Sequence, residues 1–217
     1  MLHADLHLHT AYSPDSATSL EKVIATCLKK GINCLAVTDH NSISGALEIK
    51  QRAPFKVIVG EEVRTTEGEI IGLFLTREVP RGLTPQDAAA RIKAQGGLVC
   101  VPHPFDRLRR HHMEEKALEG LFPHIDLLEV FNARTTLHRD NLQAKAFAQK
   151  HGLPMSAGSD AHTPGEIGGA YVEMPDFEGQ GDFLSALRQG HIVGHEACFL
   201  VHFYSSLARL GKKLRRG

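Results

Sequence analysis

The 217-residue sequence predicts an α/β fold in which a parallel sheet is covered by helices. Short apolar segments rich in Val, Ile and Leu alternate with segments of helical periodicity, and the connections between them are short. No internal repeat or linker divides the chain, so a single domain spanning residues 1–217 is expected. Periodicity alone leaves two forms of the sheet possible, open or closed into a barrel.

The predicted elements alternate along the chain. The strands run from Leu2 to His9, Cys34 to Thr38, Lys56 to Glu62, Glu69 to Leu75, Leu98 to Pro102, Leu127 to Phe131, Pro154 to Ser159 and Ala170 to Met174. The helices run from Ser19 to Lys30, Ser42 to Arg52, Thr84 to Gln95, His112 to Leu121, Thr136 to His151 and Asp182 to Gln189. Ser19 is a favourable N-cap, Pro85 follows a threonine cap, and Gly31 and Gly152 follow lysine-containing helix ends.

The charge balance and the apolar pattern exclude several classes of protein. Lys plus Arg and Asp plus Glu both total 25, so no net field attracts nucleic acid or a membrane. An anionic substrate must therefore be bound by local cations. No apolar run approaches the roughly 18 residues of a membrane span. The N-terminal residues lack the basic start and apolar core of a signal peptide, so a cytoplasmic location is expected.

Histidine is the unusual residue type in this composition. The chain has 14 histidines, against three tyrosines and no tryptophan. Histidine is the commonest side-chain metal ligand and the usual acid or base near neutral pH. The four cysteines, Cys27, Cys34, Cys100 and Cys198, form no CxxC pair and are expected to be buried, reduced thiols. The positions of the histidines therefore decide the functional interpretation.

The first predicted strand contains the segment DLHLH at residues 5–9. Because side chains alternate across a strand, Asp5, His7 and His9 are expected on one face and the two leucines on the face toward the helices. A buried polar triplet is costly unless it is paired or binds a cation. A hydrogen-bonded polar layer is the alternative. Asp15, in the loop that follows, is close enough in sequence to reach back over the strand end.

Further segments end in residues of the types that bind metals. They are Thr38-Asp39-His40-Asn41, Gly60-Glu61-Glu62, Pro102-His103-Pro104 and Gly158-Ser159-Asp160-Ala161-His162. Each follows an apolar predicted strand, and the carboxyl ends of parallel strands meet on one face. Any one segment alone is more often a helix cap or a satisfied polar group. Together with residues 5–9, they predict a single cluster.

In this order, the motifs resemble the motif series of the PHP (polymerase and histidinol phosphatase) family, and the match covers most of the chain. The resemblance implies a distorted seven-stranded α/β barrel that holds two or three divalent metal ions. Mixed imidazole and carboxylate ligands without thiolate suit zinc, manganese or iron.

The resemblance also implies a role for each motif residue. One metal would be held by His7, His9, Glu62 and Asp160, a second by Glu62 and His103, and a third by Asp15, His40 and His162. Glu61 is the rival of Glu62, but the family pattern places the bridging ligand at the second acidic position. Glu62, His103 and Asp160 are therefore the predicted catalytic residues.

One position departs from the family pattern. Many relatives have a histidine that completes the second metal where this chain has Asn132, so the amide oxygen of Asn132 or a water would take its place. Arg134, Asn132 and Arg107 are the predicted substrate-binding residues, since a guanidinium holds phosphate through two hydrogen bonds. Arg107 shares a loop with Arg109 and Arg110, and a solvated surface position is the alternative for these arginines. A basic helix or tail at about residues 199–217 is expected to be solvated.

The resemblance implies hydrolysis of phosphate esters. Two metals would share a hydroxide, since metal binding lowers the pKa of water from near 16 toward about 7. The expected substrate is small and phosphorylated: a nucleotide, a nucleoside bisphosphate or the 5′ end of a short oligonucleotide, without a stable nucleic-acid complex. The alternatives are a histidinol-phosphate or other small-metabolite phosphatase, and a non-catalytic metal-binding domain that supports a partner. An amidohydrolase is disfavoured by the separate motif at residues 38–41.

Overall fold

A computed structural model describes residues 1–109 and 111–195 of the chain. The predicted basic tail, Cys198 and Arg110 lie outside the described residues. The strands are β1 (Leu2–Asp5), β2 (Cys34–Val37), β3 (Lys56–Thr65), β4 (Gly68–Leu73), β5 (Leu98–Val101), β6 (Leu127–Asn132), β7 (Met155–Gly158), β8 (Ala170–Met174) and β9 (His191–Gly194). The α-helices are α1 (Leu20–Lys30), α2 (Ser44–Arg52), α3 (Pro85–Lys93), α4 (Glu115–Leu121), α5 (His138–His151) and α6 (Gln180–Arg188). A 3-10 helix at Phe122–His124 follows α4.

The strands form one sheet in the order β7-β6-β5-β4-β3-β2-β1-β8-β9. The segment after β1 also bonds to the segment after β7: His9 N donates to Ala161 O at 3.0 Å, and Asp160 N donates to His7 O at 2.7 Å. Leu8 and Ala161 form a parallel bridge. These bonds bring the sheet close to a closed barrel, so the predicted α/β barrel is confirmed. The described residues contain nine strands rather than the seven expected.

The prediction that the whole sheet is parallel is wrong. β4 is antiparallel to both β3 and β5, and β8 is antiparallel to both β1 and β9. Only Thr66 and Glu67 separate β3 from β4. A connection this short permits a hairpin, whereas a parallel crossover needs a dozen or more residues. Gly68 has φ +113, a backbone conformation that favours glycine at this turn.

Two apolar layers position the strand ends. One lies between the sheet and the helices and includes Leu35, Val37 and Val99, while the other includes the alternate residues Cys34 and Ala36. This alternation follows from the two-residue period of a strand. Across residues 1–109 and 111–195, every helix is too short or too polar to cross a membrane.

Candidate metal centre

The chain leaves regular strand alternation just after β1. Leu6 packs in the layer that contains Ala4 and Cys34, whereas Leu8 packs in the layer beneath the helices. The prediction that both leucines face the helices is therefore wrong. β1 ends at Asp5, and the following backbone turns to bond with the segment after β7, which breaks the two-residue period.

The alternation predicted that Asp5 lies in one cluster with His7 and His9, and this prediction is wrong. The Asp5 carboxylate instead accepts hydrogen bonds from the backbone N–H groups of Ser159, at 2.9 Å, and Gly168, at 3.0 Å. Burial raises the pKa of Asp5 to about 6, although these hydrogen bonds oppose the shift. Asp5 thus holds the loop after β7 in place.

The structure brings the predicted metal ligands together at one end of the barrel, where they follow β1, β2, β5 and β7 or lie within β3. They are His7, His9, Asp15, His40, Glu62, His103, Asp160 and His162. All are buried except His40, which is partly buried. Their donor atoms, with one from Glu69, form overlapping groups, and the atoms of each group lie within 4.8 Å of one another: His9-Asp15-His40-His162, His7-His9-Glu62, His7-His103-Asp160 and His40-Glu62-Glu69.

The group around His7 and His9 fits one divalent ion. The two Nε2 atoms are 3.2 Å apart, and each lies 3.3–3.6 Å from Oε2 of Glu62 and Oδ1 of Asp160. Ligands about 2.0–2.1 Å from a tetrahedral ion would be separated by about 3.3–3.4 Å. Among the described residues, the buried Asp160 Oδ1 has no hydrogen-bond partner. A cation would compensate this buried oxygen.

A second group lies on the other side of His9. Nε2 of His40 is 3.3 Å from Asp15 Oδ2, and Nε2 of His162 is 3.4 Å from Asp15 Oδ1. The hydroxyl of Ser13 donates to Asp15 Oδ1 at 3.0 Å. One carboxylate thus places an oxygen toward each of two imidazoles, an arrangement that also suits a divalent ion.

Glu62 connects these groups through its two oxygens. Oε1 lies 3.1 Å from His103 Nε2, while Oε2 lies 3.1 Å from His40 Nδ1. The neighbouring Glu61 faces away, and its Oε2 accepts from the backbone N–H of Val79 at 2.8 Å. Adjacent residues of a strand point to opposite faces, so Glu62 and not Glu61 reaches the cluster.

Two of these predicted ligands have an unusual backbone conformation. His103 has φ +31 and Asp160 has φ +51, a region that residues other than glycine rarely occupy and that clusters at functional sites. The end of β7 also lies very close to the segment after β1. A Cβ added to Gly158 would lie 2.3 Å from the Cβ of His7, so only glycine permits this approach.

Burial and neighbouring charges both shift the pKa values of the side chains at the centre. Burial lowers the pKa of His9, but the adjacent carboxylates of Asp160 and Glu62 outweigh it and raise the pKa to about 10. Burial raises the pKa of the Asp160 carboxyl, but the Arg109 guanidinium and His7 bring it well below its usual range. Burial and the charge of His9 lower the pKa of His162 to about 4. Carboxylates and protonated imidazoles therefore balance one another in the absence of metal.

Sequence reasoning missed two buried acids at the cluster. Glu129 Oε1 lies 3.0 Å from His7 Nδ1, and Glu129 Oε2 accepts from the backbone N–H of His103 at 2.7 Å. Glu69 Oε1 lies 3.8 Å from Nδ1 of His40. Both residues are acids inside otherwise apolar strands, LLEVFN and GEIIGL, and that contrast was the available signal.

The predicted substrate-binding residues occupy different environments. Asn132 is buried at the cluster and donates to Glu129 and Asp160. Arg134 is also buried, and its guanidinium contacts His162 Nδ1 and the carbonyl of Asp160. Arg107 is exposed. From the same loop, Arg109 reaches the cluster instead. The roles of Asn132, Arg134 and Arg107 in binding phosphate stay predictions.

The sequence matches two family models. The PHP domain model matches residues 5–153, and a PHP-associated model matches residues 138–192. The chain is 36% identical over 197 residues to an uncharacterised protein, MJ0417, of Methanocaldococcus jannaschii, covering 86% of this chain and 79% of the relative.

Solved structures share the fold at low sequence identity. A two-domain protein from Bacteroides vulgatus, which contains a predicted PHP-like metal-dependent phosphoesterase, aligns with a TM-score of 0.73 and 18% identity, over 89% of this chain and 65% of that one. Endonuclease Q in complex with a 27-mer duplex aligns with a TM-score of 0.65 and 17% identity, over 86% and 56% of the two chains. The match of the PHP domain model to residues 5–153, most of the chain, shows that the chain belongs to the PHP family.

Proposed function

We propose that the chain hydrolyses phosphate esters of nucleotides, nucleoside bisphosphates or the 5′ ends of short oligonucleotides. The observation that carries the proposal is the approach of Glu62 Oε2 and Asp160 Oδ1 to within 3.3–3.6 Å of the Nε2 atoms of both His7 and His9, separations that suit ligands of a divalent ion. With Asp15, His40, His103 and His162, these side chains would hold two or three ions of zinc, manganese or iron.

Bound metal would supply Lewis acidity and lower the pKa of water, so that hydrolysis needs no serine or cysteine nucleophile. The protein's own groups orient and balance this chemistry. Glu129 fixes the His7 ring through Nδ1, which leaves Nε2 directed into the centre. In this proposal the guanidinium of Arg134, beside His162, would bind a second phosphate of the substrate.

A cavity beside the centre supports a nucleotide-sized substrate. Its volume is about 510 Å³, and its lining includes Tyr12, Pro14, His40, Pro80 and Arg81. Small-molecule sites are typically about 300–1,000 Å³. Tyr12 is 45% exposed, and its ring provides a surface on which a base can stack. The exposed Arg81 provides a local cation, which a chain without net charge needs to bind an anion.

The shared fold of Endonuclease Q, solved with duplex DNA, also favours a nucleic-acid type of substrate. The absence of a stable complex with nucleic acid stays a prediction, and an electrophoretic mobility-shift assay with 5′-phosphorylated oligonucleotides would test it. The cytoplasmic location likewise stays a prediction.

Phosphate release from a substrate panel tests the proposed function. The panel contains nucleoside monophosphates, nucleoside 3′,5′-bisphosphates, 5′-phosphorylated oligonucleotides, histidinol phosphate and p-nitrophenyl phosphate, each with manganese, zinc or iron. The highest kcat/KM is expected on a nucleotide substrate. A preference for histidinol phosphate would contradict the substrate class. Absence of phosphate release with every metal, from a protein that binds those metals, would favour a non-catalytic domain.

A further inference from the structure

The guanidinium of Arg109 lies among the groups that would bind metal. One of its NH2 donors is 2.6 Å from Asp160 Oδ2 and 3.2 Å from Asn132 Oδ1. Asp160 also belongs to the donor group that it forms with His7 and His103. Arg109 is therefore paired with a carboxylate that one of the candidate metal groups requires.

A buried carboxylate fixes this position of Arg109. Asp106 Oδ2 accepts from Arg109 Nε at 3.2 Å, and the Asp106 side chain is fully buried. The Arg109 backbone N–H also donates to the carbonyl of Asp106 at 3.2 Å. The Arg109 side chain is only 20% exposed. The guanidinium thus contacts the Asp106 carboxylate through Nε and the Asp160 carboxylate through its terminal nitrogen.

The two oxygens of Asp160 consequently have different environments. Oδ2 accepts from Arg109 and, at 3.3 Å, from Asn132 Nδ2, whereas Oδ1 faces the Nε2 atoms of His7 and His9. Asn132 Oδ1 also accepts from the backbone N–H of Arg134 at 2.9 Å. The oxygens of Asn132 and Asp160 on this side therefore already have donors.

We propose that Arg109 occupies a cation position beside Asp160 and Asn132, so that its guanidinium excludes one metal ion from the centre. An arginine keeps its charge in proteins, and a divalent ion at the same oxygens would lie against that fixed charge. Asp160 then binds metal through Oδ1 alone. The inference rests on the proposed metal centre and extends it to the number of ions that this chain holds.

Counting bound manganese in the full-length chain tests the proposal. Metal-free wild type and Arg109→Met are titrated with Mn²⁺ by calorimetry, and ions per chain are counted by mass spectrometry after dialysis. Arg109→Met is expected to bind one more ion than wild type, since Asp160 Oδ2 and Asn132 Oδ1 each lose one of their two donors and the fixed positive charge is removed. Arg109→Lys keeps a positive charge and is expected to match wild type. Arg107→Met, in the same loop but exposed, is the matched control.

An unchanged ion count in a folded Arg109→Met protein would overturn the proposal, as would an equal gain in Arg107→Met. If Arg109→Met does not fold, Asp106→Asn provides the second test. This substitution weakens the contact that holds Arg109 and leaves every residue of the cluster unchanged. Asp106→Asn is expected to bind the additional ion, with lower affinity than Arg109→Met. No additional ion in Asp106→Asn would then reject the proposal. The ion count does not depend on turnover, so it tests the role of Arg109 alone. Failure of the proposed function would instead appear as absence of phosphate release.

Discussion

Nδ1 of His7 lies 3.0 Å from Oε1 of Glu129, and both side chains are buried. Such a contact fixes the tautomer and orientation of a metal-binding imidazole and increases its basicity. Glu129 also accepts from the backbone N–H of His103, so one carboxylate positions two predicted ligands.

Glu129→Gln is expected to lower the affinity for Mn²⁺ or Zn²⁺ by about 10- to 100-fold, because the amide is a weaker acceptor for His7. Titration calorimetry of metal-free protein measures the change. The matched control is Glu173→Gln, which alters the partly exposed His3–Glu173 pair, 3.6 Å apart. Equal affinities in wild type and Glu129→Gln would show that Glu129 does not support the metal ligands.

Asp160→Asn is expected to reduce phosphate release by more than about 100-fold, since it removes the carboxylate charge from the predicted first metal site. Circular dichroism is expected to show a folded protein, because the amide retains the carboxyl shape. Chelator-treated wild type is expected to lose activity and to regain it with manganese, zinc or iron. The exposed Asp176→Asn is the control. Full activity of Asp160→Asn would refute this site.

Arg134→Ala is expected to lower kcat/KM on a nucleoside bisphosphate by about 10- to 100-fold, which corresponds to about 1.5–3 kcal/mol for lost charge-assisted hydrogen bonds. A smaller loss is expected on p-nitrophenyl phosphate, which has no second phosphate. Arg139→Ala, at a side chain that is 79% exposed, is the control. Equal losses on both substrates would instead place the effect of Arg134 at the reacting group, through its contact with His162.

Tyr12→Ala is expected to raise KM for a nucleotide substrate by about 5- to 100-fold if a base stacks on its ring, since such stacking contributes about 1–3 kcal/mol. The KM for p-nitrophenyl phosphate is the internal comparison and is expected to change less. Steady-state kinetics with both substrates measure the difference. Tyr12→Phe, which loses only the hydroxyl that donates to Glu48, is expected to resemble wild type on the nucleotide. An unchanged nucleotide KM in Tyr12→Ala would argue against the cavity as the base site.

Glu61 is expected to make stability depend on pH. Burial raises its pKa to about 7, so the folded state binds this proton more tightly than the unfolded state. Its contribution is present below the ordinary pKa of 4.5 and is lost as the pH rises through about 7.

Glu61→Gln is therefore expected to match wild type near pH 4.5 and to be more stable near pH 8.5. The expected gain is on the order of 1 kcal/mol, or about 2–4 °C in Tm. Thermal melts of chelator-treated proteins measure it, with the exposed Glu67→Gln as control. A wild-type pH profile in Glu61→Gln would show that Glu61 does not cause the dependence.

The sequence by itself determined the α/β class and the residues that converge at the barrel end. Ligand-type side chains at the ends of Val- and Leu-rich strands are a local pattern, and parallel strand ends meet on one face. The helix boundaries at Ser19 and Gly31 followed from local capping as well, since Ser19 accepts from Lys22 N and Gly31 has φ +74.

Only the tertiary structure decided which strands run antiparallel and which polar side chains enter the cluster. Asp5 obeys the same sequence alternation as His7, yet the bonds between the segments after β1 and β7 direct it to Ser159 and Gly168. Glu129 and Arg109 carry no metal-binding spacing, and they meet His7 and Asp160 across 122 and 51 residues of sequence. Closure of the sheet creates such contacts, and periodicity, which describes only neighbouring residues, does not contain them.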